Sequence, residues 1–383
     1  MNWVKFFSRF NIHDTEYNSV LYSQSALLSK KIEYHLLGNH LLENGFALLW
    51  SAYFFGEYKF YNIAKKILIK ELNEQVLDDG AHFELSPMYH SVMLLRVLDS
   101  INIVSHSNQF GREMLKLLLC KASIMLGWLE QICFNNGELP LLNDSAMGVA
   151  PSLYDLRAYA LCQGIIPVKN KLHQSGYRKL SNNFAEVVVD IGEIGPKYQP
   201  GHAHADTLSF ELFVGNRLII TDTGTSMYEA GNERSYERST FAHNTVVVNN
   251  LSSSQIWGAH RVANRAHVNV INDEKNLVVA SHDGYKKYVG EHRRVFKLNV
   301  NELIIEDSIR GNGCAYLHFA PGIKVEITGN VLNLTNTKIA VSFIDVIKIE
   351  KLKSKVATEF NRLIESTSVR IQFKNDFKTV FTF

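Results

Sequence analysis

This sequence predicts two domains of different class, an α-helical domain over residues 1–170 and an antiparallel β domain over residues 171–383. No proline occurs before Pro87, and the apolar residues of that region recur at helical spacing. After Tyr177 the sequence pattern changes to short runs of β-branched residues, such as FAEVVVDI at 184–191, and turn residues separate these runs. A chain of 383 residues is long enough to bury one core in each domain.

The helical half is predicted from apolar periodicity and from one clear helix start. Ser86 and Pro87 form that start, with a serine cap before a proline in the first turn. The segment 135–151 is rich in turn residues and interrupts the helical period. Successive helices joined by short turns favour a bundle or a ring of helical hairpins. The predicted helices lie within 25–56 (as two helices) and over 58–76, 88–103, 113–134 and 154–164.

The second half is predicted to be all-β. Many short strands with turn signals between them are typical of an antiparallel sandwich or barrel. The predicted strands cover 184–191, 208–214, 218–221, 245–248, 277–280, 295–298, 303–306, 339–343, 346–349 and 369–373.

Composition narrows the possible partners. The formal net charge is only +2, so the bulk basic field that nucleic-acid binding needs is absent. No apolar run reaches the roughly 20 residues of a membrane span, and the N-terminus lacks the pattern of a secretory signal. Cys120, Cys133 and Cys162 lie in apolar, helical surroundings that predict unbridged, buried thiols.

Candidate catalytic and metal-binding residues are concentrated between Gly201 and Asn250. If this part of the chain is a strand, the alternating His202, His204 and Asp206 share one face. Asp222 and His243 add further side chains of the kinds that zinc favours. The residues alone therefore favour a metal site. The alternative is that Asp222 begins a turn and His243 bonds to backbone at a strand start.

The helical half offers two smaller polar signals. Asn39 and His40, followed one turn later by Glu43, interrupt an apolar helical run, and burying them is costly unless they bond to something. A satisfied hydrogen bond between helices is the alternative. Tyr89 and His90 lie in the first turn of the helix that Pro87 begins, where the helix dipole favours ionisation of a phenol. Simple packing at a helix start is the alternative for this pair.

Six stretches together resemble a known family. The sequence is similar to the heparinase II/III-like polysaccharide lyases, which include oligoalginate lyases. The resemblance implies an (α/α) toroid joined to an antiparallel β-sandwich, and cleavage of uronic-acid-containing glycans by β-elimination. The stretches follow the family's order up to about residue 320: NHLLENG at 39–45, DGAHFELSPMYH at 79–90, NDSA at 143–146, YQPGHAHADTLSFEL at 198–212, RSTFAHNTVVVN at 238–249 and HDGY at 282–285.

The resemblance assigns roles to several of these residues. Removing the C5 proton of a uronic acid creates an enolate-like dianion unless the carboxylate charge is neutralised. Asn39 and His40 match the residues that grip this carboxylate, Tyr89 matches the general acid, which in some members is also the base, and His202 matches the catalytic base. A free tyrosine has a pKa of about 10. As a base, Tyr89 would therefore need a cationic neighbour, for which His90 and His202 are the candidates.

Several family members have a second catalytic tyrosine, before the RST…HNT stretch. Tyr228 and Tyr236 both fit that position, and the surrounding TSMYEAG favours Tyr228. We assign Tyr236 to substrate binding instead. Arg234 and Arg238 either contact an acidic sugar or form surface salt bridges. Glu43 and His90 complete the predicted substrate-binding set.

The resemblance also divides the HAHAD stretch. His204, Asp222 and His243 match the family's metal ligands, usually of zinc, and His202 does not belong to that set. The metal would brace the loop that carries His202 and would not activate water. Asp206 would then support the ligands or cap a turn.

This sequence resembles family members only from a point after their first segment. Family members have a further segment before the part that resembles NWVKFFSRF at 2–10, with the first toroid helices and often an export signal. An incomplete toroid is therefore expected. The family points to the periplasm, and a chain complete as given would point to the cytoplasm.

The lyase hypothesis has two rivals. One is a metal-dependent hydrolase in which His204, Asp222 and His243 activate water. The other is a glycan-binding or scaffold protein without turnover. The expected partner in every case is an acidic polysaccharide or oligosaccharide, and by resemblance a bacterial capsule or O-antigen polysaccharide is a candidate.

Overall fold

The computed structural model describes residues 1–12, 14–335 and 337–383. These residues form two compact units. The first comprises Met1–Phe83, His90–Glu130 and Pro151–Lys171, and the second comprises Glu84–Tyr89, Gln131–Ala150 and Leu172–Phe383. We call them the helical unit and the β unit.

Two segments that the sequence analysis placed in the helical domain, 84–89 and 131–150, group with the β unit. Hydrogen bonds explain why. The Tyr177 hydroxyl donates to the Leu85 carbonyl at 2.7 Å, and the Leu141 N–H donates to Oε1 of Glu211 at 3.1 Å. The chain otherwise changes unit after Lys171, beside the predicted boundary at 170/171.

The helical unit follows the predicted order of helices. The stretch 25–56 contributes to two helices, as expected, but the first of them begins earlier, at Thr15. The helices are α1 Asn2–Phe10, α2 Thr15–Leu28, α3 Gly38–Phe55, α4 Tyr58–Gln75, α5 Pro87–Ser105, α6 Glu113–Ile132 and α7 Leu153–Cys162. None of the helices in the described part of the chain has both the length and the hydropathy needed to cross a membrane.

Close packing of α3 on α4 fixes the helix that carries Asn39 and His40. A Cβ placed on Gly45 would meet the side chain of Leu68 at 2.9 Å, so glycine permits this approach. Nearby, Gln75 Nε2 donates to the Gly38 carbonyl at 2.9 Å and ties the start of α3 to the end of α4.

The cysteines form no disulfide among the described residues. Cys133 is buried as predicted, but Cys120 and Cys162 are exposed, because they occupy outward positions of α6 and α7.

The β unit contains two antiparallel sheets. The strands of the smaller sheet are β1 Tyr177–Ser181, β2 Ala185–Asp190, β3 Phe210–Val214 and β4 Arg217–Ile220. The remaining strands are β5 Val246–Val247, β6 Gln255–Trp257, β7 Arg261–Ala263, β8 Val268–Glu274, β9 Leu277–His282, β10 His292–Leu298, β11 Glu302–His318, β12 Lys324–Thr328, β13 Val331–Thr335, β14 Ala340–Glu359 and β15 Arg362–Thr382. The smaller sheet has the order β1-β2-β3-β4, and the larger has the order β12-β13-β14-β15-β11-β10-β9-β8, with β5 paired to β11. Strands β6 and β7 form a separate hairpin.

The two sheets share one apolar core. Phe210 of the small sheet contacts Phe296 and Phe381 of the large sheet, with ring centroids 5.9 and 6.1 Å apart. All three phenylalanines are fully buried. Burial of inward residues from both layers is the basis of a β-sandwich, so the predicted architecture of this half is confirmed.

The β14–β15 hairpin is longer than predicted and reaches the loops of the sandwich. The sequence predicted three short strands here, whereas β14 spans 20 residues and β15 spans 21, with an irregularity near Asp345. At the tip, the Ala357 N–H donates to the Thr223 carbonyl at 2.7 Å, and the Asn361 N–H donates to the Ser226 carbonyl at 2.8 Å. These bonds fix the hairpin tip beside the loop after β4.

Candidate active site

The carboxylate of Asp144 accepts hydrogen bonds from several polar side chains of this site. Asp144 is fully buried; its Oδ2 accepts from Nδ1 of His202 at 2.9 Å, and its Oδ1 accepts from Nε2 of His204 at 2.8 Å. Arg234 donates to both oxygens, and Thr225 donates to Oδ1. Burial raises the pKa of Asp144, but the bonds from His202 and His204 and the charge of Arg234 outweigh burial and hold the pKa well below its ordinary value. Asp144 is therefore ionised.

Asn143 fixes the backbone on which this carboxylate stands. Its φ of 54° lies in the left-handed region, where asparagine is more easily tolerated than most residues. The Asn143 side chain accepts from the His204 N–H at 3.0 Å and donates to the Tyr177 hydroxyl at 2.9 Å. The Asp144 N–H donates to the His202 carbonyl at 3.1 Å. Both histidines are thus tied to this turn through backbone as well as side chain.

The HAHAD stretch is not a strand, so the condition under which His202, His204 and Asp206 would share one face is not met. Residues 202–208 form a loop, and β3 begins only at Phe210. The bonds to Asp144 and Asn143 replace the ladder that a strand would have used. His202 and His204 therefore do not share a strand face; each is placed by its bond to a different oxygen of Asp144.

Tyr89 and His202 form a stacked pair. Their ring centroids are 3.9 Å apart and their planes differ by 28°. Tyr89 is positioned by its N–H, which donates to Oγ of Ser86 at 3.1 Å, so the predicted helix cap also places this phenol. Glu84 lies beside the pair, with its Oε2 at 3.6 Å from Nε2 of His202. Burial lowers the pKa of His202, but the hydrogen bond to Asp144 and the charges of Asp144 and Glu84 leave it raised overall.

Tyr228 is the second tyrosine that the structure brings to His202. Their ring centroids are 6.1 Å apart, and the guanidinium of Arg234 lies 5.2 Å from the Tyr228 ring centre. Among the residues that the structure describes, the Tyr228 hydroxyl is buried without a well-formed hydrogen bond, yet it lies near enough to Tyr89 to lower the pKa of that phenol. Burial outweighs this effect and raises the pKa of Tyr89, and burial together with Asp144 raises that of Tyr228. Both phenols are therefore protonated at neutral pH.

Tyr236, the competing candidate, lies elsewhere in the β unit. It is on α8, Asn232–Glu237, and lines a groove of about 720 Å³ with Phe241 and Tyr316. The geometry therefore favours Tyr228 over Tyr236 for a role beside His202.

Arg234 and Arg238 are fully buried, so the expectation of surface salt bridges for them is wrong. Arg234 binds Asp144 and also donates from Nε to the Ala259 carbonyl at 3.0 Å. Arg238 donates from Nη2 to the Ala203 carbonyl at 3.0 Å. Loop carbonyls and a buried carboxylate satisfy these guanidiniums in place of solvent. Direct contact with an acidic sugar stays a prediction, and complete burial argues against it.

The predicted metal ligands lie together, deep in the β unit. The rings of His204 and His243 have centroids 5.3 Å apart, and Oδ2 of Asp222 accepts from Nδ1 of His243 at 2.7 Å. Within the described residues, no group of three or more His, Cys, Asp or Glu side chains is already arranged to hold a metal ion.

The donor set nevertheless suits a metal. Nδ1 of His204, Nε2 of His243 and Oδ2 of Asp206 are buried and have no hydrogen-bond partner among the described residues. Leaving such atoms unpaired is costly, and a cation would offset that cost. Burial, aided by the charge of Asp222, raises the pKa of Asp206 to about 6, which is a further sign of uncompensated negative charge here. Imidazole and carboxylate are ligands that zinc accepts.

The remaining predicted residues belong to the helical unit. Asn39 is buried and His40 is exposed in the first turn of α3. Glu43 accepts from Nε of Arg96 at 2.7 Å. Nδ1 of His90 accepts from the His82 N–H at 3.1 Å, and Nε2 donates to the Met125 carbonyl at 3.0 Å.

His90 is not the cation that Tyr89 was expected to need. Burial lowers the pKa of His90 to about 4, so its imidazole is neutral near pH 7. With both ring nitrogens bonded to backbone groups, His90 fixes the turn before α5.

Three residues of the site were missed by the sequence analysis: Asp144, Glu84 and His260. Asp144 and Glu84 lie inside stretches that carried the family resemblance, at 143–146 and 79–90, and that was the available signal. His260 belongs to no motif, and its ring centroid lies 6.2 Å from that of His202. Only the folded chain brings it there.

Comparison with known proteins defines the family. The profile described as heparinase II/III N-terminus matches residues 8–163, and the profile described as heparinase II/III-like, C-terminal, matches residues 167–383. The chain belongs to the heparinase II/III-like family.

Two curated relatives are heparin-sulfate lyases. The one from Bacteroides stercoris is 26% identical over 315 residues, which cover 75% of this chain and 46% of the relative. The one from Pedobacter heparinus is 25% identical over 246 residues, which cover 56% of this chain and 36% of the relative. This chain therefore spans less than half the length of the curated relatives it matches.

Solved structures share the fold. A heparinase III structure matches with a TM-score of 0.75 at 18% identity, over 94% of this chain and 63% of that one. A heparan sulfate lyase from Pedobacter heparinus matches with a TM-score of 0.70 at 18% identity, over 96% of this chain and 63% of that one. The predicted fold class, a helical (α/α) toroid domain followed by an antiparallel β-sandwich, is confirmed.

Proposed function

We propose that this chain is a polysaccharide lyase that cleaves a uronic-acid-containing glycan by β-elimination. The observation that carries the proposal is the stacked pair of Tyr89 and His202, with Tyr228 beside it. These side chains lie at the positions that match the family's catalytic residues. They supply two protonated phenols and an imidazole bonded to a carboxylate, which are the groups that a proton-transfer reaction requires.

The proposed chemistry uses no water. His202 takes the proton from C5 of the uronic acid, and the C–H electron pair forms the double bond between C4 and C5. The bond from C4 to the leaving glycosidic oxygen breaks, and Tyr89 donates its phenolic proton to that oxygen. A raised pKa keeps Tyr89 in the protonated form that a general acid must have before the reaction.

Tyr228 is assigned to the same reaction, because its ring lies 6.1 Å from that of His202. Its buried hydroxyl lacks a well-formed hydrogen bond among the described residues, and its ring is held by Arg234 and by Phe360. We assign this hydroxyl to hydrogen bonding with the substrate near the leaving oxygen. Asn39 and His40 of the helical unit are assigned to the uronate carboxylate, on the family resemblance.

The proposed substrate class is a glycosaminoglycan. The curated relatives are named heparin-sulfate lyases. Alginate and bacterial surface polysaccharides also contain uronic acids, and they are the competing substrates that an experiment must include.

Zinc is proposed as a bound, stabilising ion. His204, Asp222 and His243 would hold it, and it would cross-link the loop after His202 to β4 and to the segment before β5. The unpartnered imidazole nitrogens of His204 and His243 support this assignment. Bound zinc would supply rigidity, and the proton transfers belong to Tyr89 and His202.

The decisive experiment is incubation with a panel of glycans: heparan sulfate, chondroitin sulfate, hyaluronan, alginate and a neutral glucan as control. Elimination creates an unsaturated uronate that absorbs in the ultraviolet, and the absorbance should rise with the loss of chain length. Shortening without new absorbance would indicate hydrolysis and would overturn the lyase proposal. Binding without any shortening would favour a glycan-binding protein.

A further inference from the structure

The HAHAD loop places two histidines against one buried carboxylate, and the two bind it through different ring nitrogens. His202 uses Nδ1 at 2.9 Å, and His204 uses Nε2 at 2.8 Å. We propose that Asp144 is the positioning residue that selects opposite tautomers of His202 and His204, so that one presents Nε2 to the substrate and the other presents Nδ1 to a metal ion. This inference rests on the proposed function for its catalytic half, and its structural half can be tested without turnover.

The tautomers follow from the hydrogen bonds of Asp144. Arg234 donates to both of its oxygens, and a carboxylate paired in this way only accepts hydrogen bonds, so the ring nitrogen that faces it must carry the proton. In neutral His202 the proton is then on Nδ1 and the lone pair is on Nε2. In neutral His204 the proton is on Nε2 and the lone pair is on Nδ1. The second nitrogen of each histidine is set by the bond that the first one makes.

Independent contacts agree with both assignments. Nδ1 of His204 is buried without a hydrogen-bond partner among the described residues, as expected for a lone pair reserved for a metal. Nε2 of His202 lies 3.6 Å from Oε2 of Glu84, and this nearby negative charge favours the imidazolium that forms when Nε2 takes up a proton. The positive ring would then be flanked by Glu84 on one side and Asp144 on the other.

Arg234 orients the Asp144 carboxylate. It donates to both carboxylate oxygens, and both side chains are fully buried. Arg234 is itself held by the Ala259 carbonyl and lies against the Tyr228 ring. Bidentate geometry fixes the plane of the carboxylate, and hence the direction in which each oxygen meets its histidine.

Asp144→Asn tests the assignment directly, because an amide can either donate or accept and no longer dictates the tautomer. We expect kcat to fall by roughly 10²–10⁴-fold with KM changed by less than about threefold. Zinc affinity should fall by roughly 10–100-fold. Asp307→Asn is the matched control, since Asp307 is also fully buried and bonds to a histidine and an arginine elsewhere in the sandwich. Its kcat should stay within about threefold of the parent below the unfolding temperature.

Nitrogen-15 NMR of the imidazole groups supplies a readout that a merely structural role would not change. In the metal-free protein with neutral histidines, His202 should show the Nδ1–H form and His204 the Nε2–H form. The signals are assigned by their loss in His202→Gln and His204→Gln. Asp144→Asn should alter both patterns. Unaltered tautomers would overturn the inference even if kcat fell, and this result does not depend on finding a substrate.

If Asp144→Asn fails to fold, a second pair of variants can test the same inference. A buried arginine left without its partner is strongly destabilising, so Asp144→Asn is combined with Arg234→Gln to remove that charge. Arg234→Gln alone keeps the carboxylate and should retain both tautomers, with kcat reduced by less than about tenfold. The double variant should lose both tautomers and most of the remaining kcat. Equal activity and equal tautomers in these two variants would overturn the inference.

Discussion

The imidazole of His202 lies face to face on the phenol ring of Tyr89, with 3.9 Å between the ring centroids. In the proposed reaction one of these rings accepts a proton and the other donates one. Because the rings are in contact, a shift of either one moves the other, and the pair is expected to act as a unit.

This unit should show strongly non-additive kinetics. Tyr89→Phe removes the donated proton but keeps the stacked ring, and His202→Gln removes the base, so each should lower kcat by about 10³-fold. The double variant should be only slightly slower than either single variant. When two residues act as a unit, removing the first already removes most of the rate acceleration that the second contributes. Losses that multiply to about 10⁶-fold in initial-rate measurements would show that the two residues act in separate steps.

Tyr228 and Tyr236 offer a matched pair of Tyr→Phe substitutions. The Tyr228 hydroxyl is buried near Tyr89, and we expect Tyr228→Phe to lower kcat/KM by roughly 10–100-fold. Tyr236 is 38% exposed and lines a separate groove, so Tyr236→Phe should leave kcat/KM within about twofold. A larger loss for Tyr236 than for Tyr228 in the ultraviolet assay would reverse our choice between them.

Metal removal should reduce stability more than it reduces chemistry. If zinc saturates its site, stripping it with a chelator should cost about 3 kcal/mol of folding free energy and lower the melting temperature by several degrees. His243→Ala should abolish stoichiometric zinc in elemental analysis. Well below the melting temperature the chelated protein should still form unsaturated product. Immediate loss of turnover on chelation would instead support the hydrolase hypothesis, in which the metal activates water.

The candidate catalytic residues could be predicted from the sequence, but the residues that position them could not. Tyr89 and His202 stand in stretches whose residue order is typical of the family, and Ser86 with Pro87 marks the helix start that places Tyr89. Asp144 stands in a turn-rich segment without periodicity, so its buried carboxylate left no spacing signal. Phe360, whose ring lies 5.2 Å from that of Tyr228, comes from a hairpin tip more than a hundred residues further on.

For the fold, too, local features could be predicted from the sequence and long-range contacts could not. Local periodicity predicted most helices and strands, because each element's pattern is set by its own inward face. The HAHAD stretch, for which a strand was only a condition, is a loop because long-range bonds to Asp144 and Asn143 hold those residues. The grouping of 84–89 with the β unit likewise depends on contacts, such as Tyr177 with Leu85, that no local pattern encodes.

Stability should fall at low pH partly through Asp307. Burial raises the pKa of this carboxyl, but the charge of Arg294 and the hydrogen bond from His292 outweigh burial and lower the pKa to about 2. A carboxyl whose folded pKa is depressed stabilises the protein above its unfolded pKa of about 4, and that contribution is lost as the pH falls toward 2. The contribution is about 2 kcal/mol near neutral pH and about half of that at pH 3.

Denaturant unfolding of the parent and of Asp307→Asn at several pH values measures this contribution. Arg294 also donates to the carbonyls of Leu208 and Asn244 at 2.7 and 2.6 Å, so the Asp307–Arg294 pair is part of a buried network inside the sandwich. The parent should be more stable than the variant at pH 7, and the difference should shrink steadily between pH 5 and pH 2 as Asp307 becomes protonated. A difference that stays constant over that range would mean that Asp307 stabilises the fold through packing, and that its ionisation contributes nothing.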